Sequence, residues 1–353
     1  MYAQDGIGIQ NSSHGPVVVA REFDPVQLGY GTTLHTMLDN GSIGSSSNLG
    51  TPYTMFAQDV VNAPDGSAMI IGSVLSPEAS GHDGLVVNLD PNGAVLWTSV
   101  IELPGSQQFT AGTMLPDGGV ALCGFENTGD GHDVLVVRLN ASGDLLWSHT
   151  ETGPTEAEAH GITAEGGDLV ITGRELTFSG NDDVLLMRMD LQGTMIWSHT
   201  FGGDGNDVGR SVASIGGSIF ITAGWTDSFG TFDETTQHIP LHYYLIAFDL
   251  QGDTLWTTAL GDTLHDRRGF DLVLGVDNDL LLAGERGTSA LSDATLMRVT
   301  TGGVLVWERA IDTGKEERLS HILPLPDGSL CTGWSFGPFG RQVLFVRRDH
   351  NGF

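Results

Sequence analysis

The sequence is poor in cysteine, in cations and in helical pattern, and each shortage removes a class of protein. Only two cysteines occur in 353 residues, Cys123 and Cys331. That excludes a disulfide-stapled scaffold and the multi-cysteine zinc modules. The two lie in the same slot of different repeats (ALCGF and SLCTG), inside apolar segments, so free buried thiols are expected rather than a bridge. Lys and Arg number 15 against 44 Asp and Glu, a net charge of −29. Phosphate backbones and anionic membrane surfaces need clustered cations, so nucleic acid and membrane drop out as partners. The acids are spread along the chain with no long block, which describes a solvated acidic surface rather than an acidic tail. No apolar run reaches the ~18 residues of a membrane span. No apolar i, i+3, i+4, i+7 pattern persists over three helical turns.

What is present is glycine, 50 residues, and repetition. Trp97, Trp147, Trp197, Trp256 and Trp307 are spaced by 50, 50, 59 and 51 residues. Each stands four positions after a glycine: Gly93, Gly143, Gly193, Gly252 and Gly303. An alternating segment precedes each glycine (LVVNLD, VLVVRLN, VLLMRMD, YLIAFD, TLMRVT), and a sixth copy, VLFVRRD, precedes Asn351-Gly352. Upstream lies a hairpin, with a Pro-Asp-Gly turn in three copies and a second strand ending in glycine, as in AMIIG or LVITG. Proline presets φ at the first central turn position and glycine accepts φ > 0 at a later one. Each repeat therefore reads as strand a, tight turn, strand b, variable loop, strand c, tight turn, and strand d bearing the Trp.

Four short antiparallel strands per ~50 residues, with one aromatic landmark each, are the pattern of a β-propeller. A sandwich has no reason to repeat a Trp at that period, and a solenoid uses shorter units. The Trp is expected to pack between neighbouring blades. Six c strands predict an all-β, six-bladed propeller of four-stranded antiparallel blades built from residues 56–353. Residues 1–55 form an N-terminal segment that supplies a ring-closing strand, since an open ring leaves sheet edges exposed. Its candidates are Pro16–Phe23 and Leu28–Leu38, and Val17–Asp24 followed by Gln27–Leu34 resembles a degenerate c–d hairpin. Residues 40–51 (NGSIGSSSNLGT) read as a flexible loop. Two alternatives stand beside this count: seven blades, with residues 1–55 as a divergent one, or a piece of a larger propeller.

The segments WSHTFGGDGNDVGRSVASIGGSIFITAGW (197–225) and DVLVVRLNASGDLLW (133–147) resemble the bacterial SBBP-type β-propeller repeat. The resemblance covers about residues 56–353, with the FGG element intact only at Phe201-Gly202-Gly203. It implies a secreted or cell-surface bacterial propeller, often a cargo of type IX secretion in Bacteroidetes, without a defined catalytic activity.

In such a ring the a–b and c–d turns share one face, where they are short and uniform here. The b–c and d–a loops share the other face and vary, and variable loops on a rigid scaffold are where binding sites sit. The longest is the 225–244 loop, in which Trp225, Asp227, Phe229, Phe232 and Asp233 are candidate ligand-binding residues. Trp334, Phe336 and Phe339 form a second aromatic group in the last b–c loop. Aromatics beside carboxylates suit a glycan or a peptide; a self-packed excursion is the competing reading. A carbohydrate-active hydrolase is the alternative function, with Asp227, Asp233 and Glu234 as the acids.

No H-E-x-x-H, Cys/His zinc spacing, G-x-S-x-G elbow or phosphate loop occurs, so no catalytic or metal residue is assigned. Asp83, Asp133, Asp183 and Asp293 all precede strand c. They form either a cation-binding ring or local acceptors for backbone N–H groups. Asp204-Gly205-Asn206-Asp207 has calcium-loop composition without the full spacing. No cofactor is expected, Ca2+ being the one candidate. The expected function is a monomeric, non-catalytic module for binding, adhesion or scaffolding of a glycan or protein ligand at the cell surface.

Overall fold

The computed structural model describes residues 4–353 except 14, 25–28, 39–41, 50–54, 76–80, 128, 130, 231, 233–237, 289, 290, 338 and 339. Among the described residues all regular structure is β, arranged as seven antiparallel sheets in chain order. Blades 1 to 7 span residues 4–48, 55–101, 106–151, 157–201, 207–260, 266–311 and 317–348. The first six have four strands and the seventh has three. Strand a of each blade touches strand a of the next, and strand a of blade 1 touches blade 7, so the ring is closed.

The all-β propeller is as expected from the repeat; the count is seven, the alternative, rather than six. Residues 4–48 fold as a complete blade. Its segments Gly15–Asp24 and Gly29–Met37 are strands b and c, not c and d. Ile43–Asn48, within the stretch read as a flexible loop, is its outer strand d. That strand is exposed throughout and is held by polar pairs: Thr36 Oγ1 to Ser45 Oγ at 2.7 Å and His35 Nδ1 to Ser46 Oγ at 2.8 Å. Hydroxyl ladders replace the apolar alternation that marks the other blades, which is why hydrophobic periodicity passed over it. In blade 7, Gly340–Arg348 pairs with Gly328–Gly337 among the described residues. The junction of blades 7 and 1 is a packed one, with Ile9, Val18 and Met37 against Leu323, Leu330, Val343 and Phe345.

The Trp residues do pack between blades. A Cβ built on the c–d turn glycine of the next blade would lie 2.8–3.3 Å from the Trp ring, for Gly143 on Trp97, Gly193 on Trp147, Gly252 on Trp197, Gly303 on Trp256 and Gly352 on Trp307. The absent side chain lets the indole lie flat on the turn. Trp147 and Trp197 also donate from Nε1 to the Leu191 and Leu250 carbonyls, both at 3.0 Å. In blades 2 to 7 the c–d turn is held by the residue at the end of strand c. Asp90, for example, accepts from the N–H groups of Asn92 and Ala94, both at 2.8 Å, and Asp190 and Asp349 repeat the pattern. These backbone bonds lower the pKa of all three carboxyls. Cys123 and Cys331 are free and buried, as expected, and burial pushes both thiols up to about 12.

Candidate binding site in the central channel

Every strand a carries a bulge at the same place. The extra residues are Ile7, Gln58, Thr110, His160, Arg210, Phe270 and Ser320. Opposite, strand b carries Gly72, Gly124, Gly173, Gly224, Gly284 and Gly333 in blades 2 to 7. A Cβ at any of them would fall 1.8–2.3 Å from a strand a carbonyl oxygen. The conspicuous glycine ending each strand b thus exists to admit the bulge, and a bulge re-aims a side chain. All seven bulge residues line a cavity of about 610 Å³ along the ring axis. The backbone device is the same in each blade, and the side chain it presents is different in each.

Around this ring the wall is polar and aromatic. Asp5, Glu158 and Arg318 stand near the starts of their a strands, and Arg21, Phe125 and Trp334 near the ends of b strands. That places them toward the mouth on the b–c and d–a loop face. Arg21 reaches Asp5 at 2.8 Å, and Arg341 reaches the same carboxylate at 3.5 Å. Glu285 is buried and takes both Arg268 (3.1 Å) and Arg318 (2.9 Å). Glu158 accepts from Arg174 (2.6 Å), and ring nitrogens of His132 (2.6 Å) and His160 (3.2 Å) face it. Burial works against its charge, yet the bonds from His160, Arg174 and His132 hold this carboxyl well below the usual range. Burial, followed by the charge of Arg210, pulls the His160 pKa down.

Arg210 is different from the other channel arginines. It forms no hydrogen bond or ion pair with any described residue, and its buried Nε has no partner. Burial, with the neighbouring Arg318, pushes its pKa down to about 10. Its guanidinium lies 6.0 Å from the Phe270 ring, which Arg318 stacks at 4.2 Å; Arg341 stacks on Trp334 at 4.2 Å. Deeper in the channel, Asp59 accepts from the Gly112 and Val60 N–H groups, and burial raises its pKa. Asp271 accepts from the Ile322 N–H at 2.8 Å and faces His321 at 3.4 Å.

The loop residues singled out from sequence divide three ways. Asp227 is tied to its neighbouring d–a loop, accepting from the Asn206 backbone N–H and, at 3.2 Å, from its side-chain amide. Trp225 is half-buried on strand b. Trp334 is buried but offers its face to Arg341 at the mouth. Phe229, Phe232 and Phe336 are each about half exposed, and Phe229 leans on Tyr244 at 5.3 Å. Asp233, Glu234 and Phe339 lie outside the described residues. The four aspartates before strand c belong to four different blades and are not gathered. Among the described residues, one three-carboxylate group has oxygens within 4.8 Å of one another: Asp293, Asp312 and Glu317. Glu317 there is hydrogen-bonded to Thr313 and Ser335, and Asp293 faces Arg286 at 4.0 Å. Asp207, in the position of Glu317, likewise fastens its own loop by accepting from the Gly203 N–H at 2.8 Å. Local fastening accounts for this slot.

Of the channel wall only Trp334 was among the candidates; the seven bulge residues were missed because no short window of sequence contains two of them. A signal exists. Their spacings of 51, 52, 50, 50, 60 and 50 follow the Trp period, so a non-repeating column inside a repeating array marks them.

No protein-family model matches the chain, and no curated protein sequence does. Solved structures match the fold. The β-propeller domain of the Trilobed protease from Pyrococcus furiosus, described as having an open velcro topology, is 10% identical with a TM-score of 0.54, covering 97% of this chain and 93% of that one. A puromycin-hydrolyzing peptidase of Mycobacterium tuberculosis is 13% identical with a TM-score of 0.60 over 100% of this chain. A puromycin hydrolase is 13% identical with a TM-score of 0.55 over 98% of it. This chain spans 52% of each of those two proteins. At these identities the likeness is one of propeller fold. No helix among the described residues is long and apolar enough to cross a membrane.

Proposed function

We propose that this chain is a non-catalytic binding module, secreted or displayed at the cell surface, that takes its ligand into the mouth of the central channel from the variable-loop face. One observation carries the reading. Seven equivalent bulges deliver seven unlike side chains into one cavity of about 610 Å³, while equivalent positions elsewhere repeat. Structural positions in a repeat are held to one solution by identical packing. A slot with identical backbone and unlike side chains is free to serve a ligand. The exposed Phe229, Phe232 and Phe336 lie on the same loop face and extend the surface available to a glycan or peptide. The resemblance of the repeat to the SBBP type supports the cell-surface setting.

Glycan and peptide arrays probed with the full chain and with Arg341→Glu test this reading. Ligands captured by the wild type are expected to be lost by Arg341→Glu, which reverses charge at the mouth. Capture unchanged in that variant but abolished by Phe229→Ser would move the site to the long loop and refute the channel.

A further inference from the structure

We propose that the ligand is anchored by a carboxylate, held by Arg210 in the channel wall; this rests on the reading of the channel as the binding site. The chain carries a net charge of −29, yet the cavity wall carries as many arginines (Arg21, Arg210, Arg318 and Arg341) as carboxylates (Asp5, Asp59, Glu158 and Asp271). Arg21 and Arg341 share Asp5, and Arg268 and Arg318 share Glu285. Arg210 adds a fifth cation with no carboxylate partner among the described residues. A part-buried guanidinium with no bonded counter-ion and a buried, unpartnered Nε is costly to keep, and it stays charged unless strongly perturbed. Placing it on a bulge, where strand pairing demands nothing of the side chain, leaves it no structural task. Its neighbours leave its edge unbonded: His160 sits beside it, bonded through Nδ1 to the Gly209 carbonyl at 2.9 Å, and Glu158, whose charge favours the Arg210 cation, is itself bonded to Arg174 and faces His132.

The terminal nitrogens of Arg210 make no hydrogen bond with a described residue, and a guanidinium edge matches the two oxygens of a carboxylate. The walls decide between this and a phosphate. Phe125, Phe270 and Trp334 line the same cavity and suit an organic body attached to the anion. Asp5, Glu158, Asp59 and Asp271 line it too, and they repel a dianion more than a monoanion. The chemistry is that of a peptide C-terminus or of an acid on an apolar stem.

The test titrates the full chain with three probes: the peptide Ala-Leu-Phe with a free carboxylate, the same peptide as its amide, and inorganic phosphate. Calorimetry gives affinity, and the Arg210 Nε resonance in 15N NMR reports contact. The free acid is expected to bind and move that resonance, with the amide and phosphate at least tenfold weaker. Arg210→Met is expected to lose at least tenfold in affinity without a fall in melting temperature. Arg210→Lys, which keeps charge but not the planar edge, is expected to fall between. Equal binding of acid and amide, preference for phosphate, no binding of the acid at millimolar concentration, or wild-type affinity in both Arg210 variants overturns the proposal. Wild-type affinity in Arg210→Met with loss in Arg341→Glu would overturn the anchor and leave the channel reading standing. No change in either variant would remove both.

Discussion

The outer seam of this ring and its inner wall are built on the same period and obey opposite rules. On the seam, five blades place the same residue, Trp, against the same element, the c–d turn glycine of the next blade. On the wall, seven blades place seven different residues on the same bulge. A seam contact must fit its neighbour, so the packing solution repeats. A wall residue faces a cavity, so the backbone repeats and the side chain is released. Regularity therefore marks what holds the ring together, and its failure marks what the ring presents.

The comparison is most sharply broken at the glycine behind the bulge. Gly173→Val should be the most damaging change, costing about 3 kcal/mol or more, because its Cβ would land 1.8 Å from the Glu158 carbonyl oxygen, backbone that cannot yield. Chemical denaturation measures it; a loss under about 1 kcal/mol would mean the bulge is not required. Next comes the seam. Trp197→Ala should cost about 3 kcal/mol from lost packing on Gly252 and a lost bond to the Leu250 carbonyl. Trp197→Phe and Trp307→Phe then separate packing from hydrogen bonding. The first should cost about 1 kcal/mol more than the second, since the Trp307 Nε1 is buried without a partner.

On the wall the expected stability effects are smaller and differ in sign. Arg210→Met should leave the melting temperature unchanged or raise it, because it removes a cation with no bonded partner and a buried, unsatisfied Nε. A clear fall in melting temperature would make Arg210 a structural residue after all. A pH series sharpens the same contrast. Burial lowers the pKa of His160 and of His35 below 6.5 in the folded state. The unfolded chain therefore binds more protons just below pH 6.5, and stability should fall as pH drops through that window. His160→Gln should flatten this dependence, and an unchanged slope would argue against the shift. Asp59 has the opposite sign: its raised pKa contributes stability fully present below about pH 3.8 and lost as pH rises through its folded value. The smallest effect concerns the cysteines, which should react with a thiol reagent only upon unfolding, as both are buried with raised pKa.

The sequence by itself determined the repeating sheet, the turns and the seam. These rest on local rules: alternation of side chains along a strand, an Asp such as Asp90 closing its own turn two and four residues on, and a glycine four residues before each of the five seam Trp residues. Such contacts recur at a fixed offset and can be read from one line of text. Blade 1 stood in that reading only as the alternative to a ring-closing segment, because residues 43–48 are paired through hydroxyl groups rather than an apolar face. The channel could not be read locally. Arg210, Phe270 and His160 are 50 or 60 residues apart along the chain and meet only when seven blades close around one axis. That closure, a matter of how strand a of each blade packs on the next, decided that Arg210 stands beside Arg318 with no carboxylate of its own.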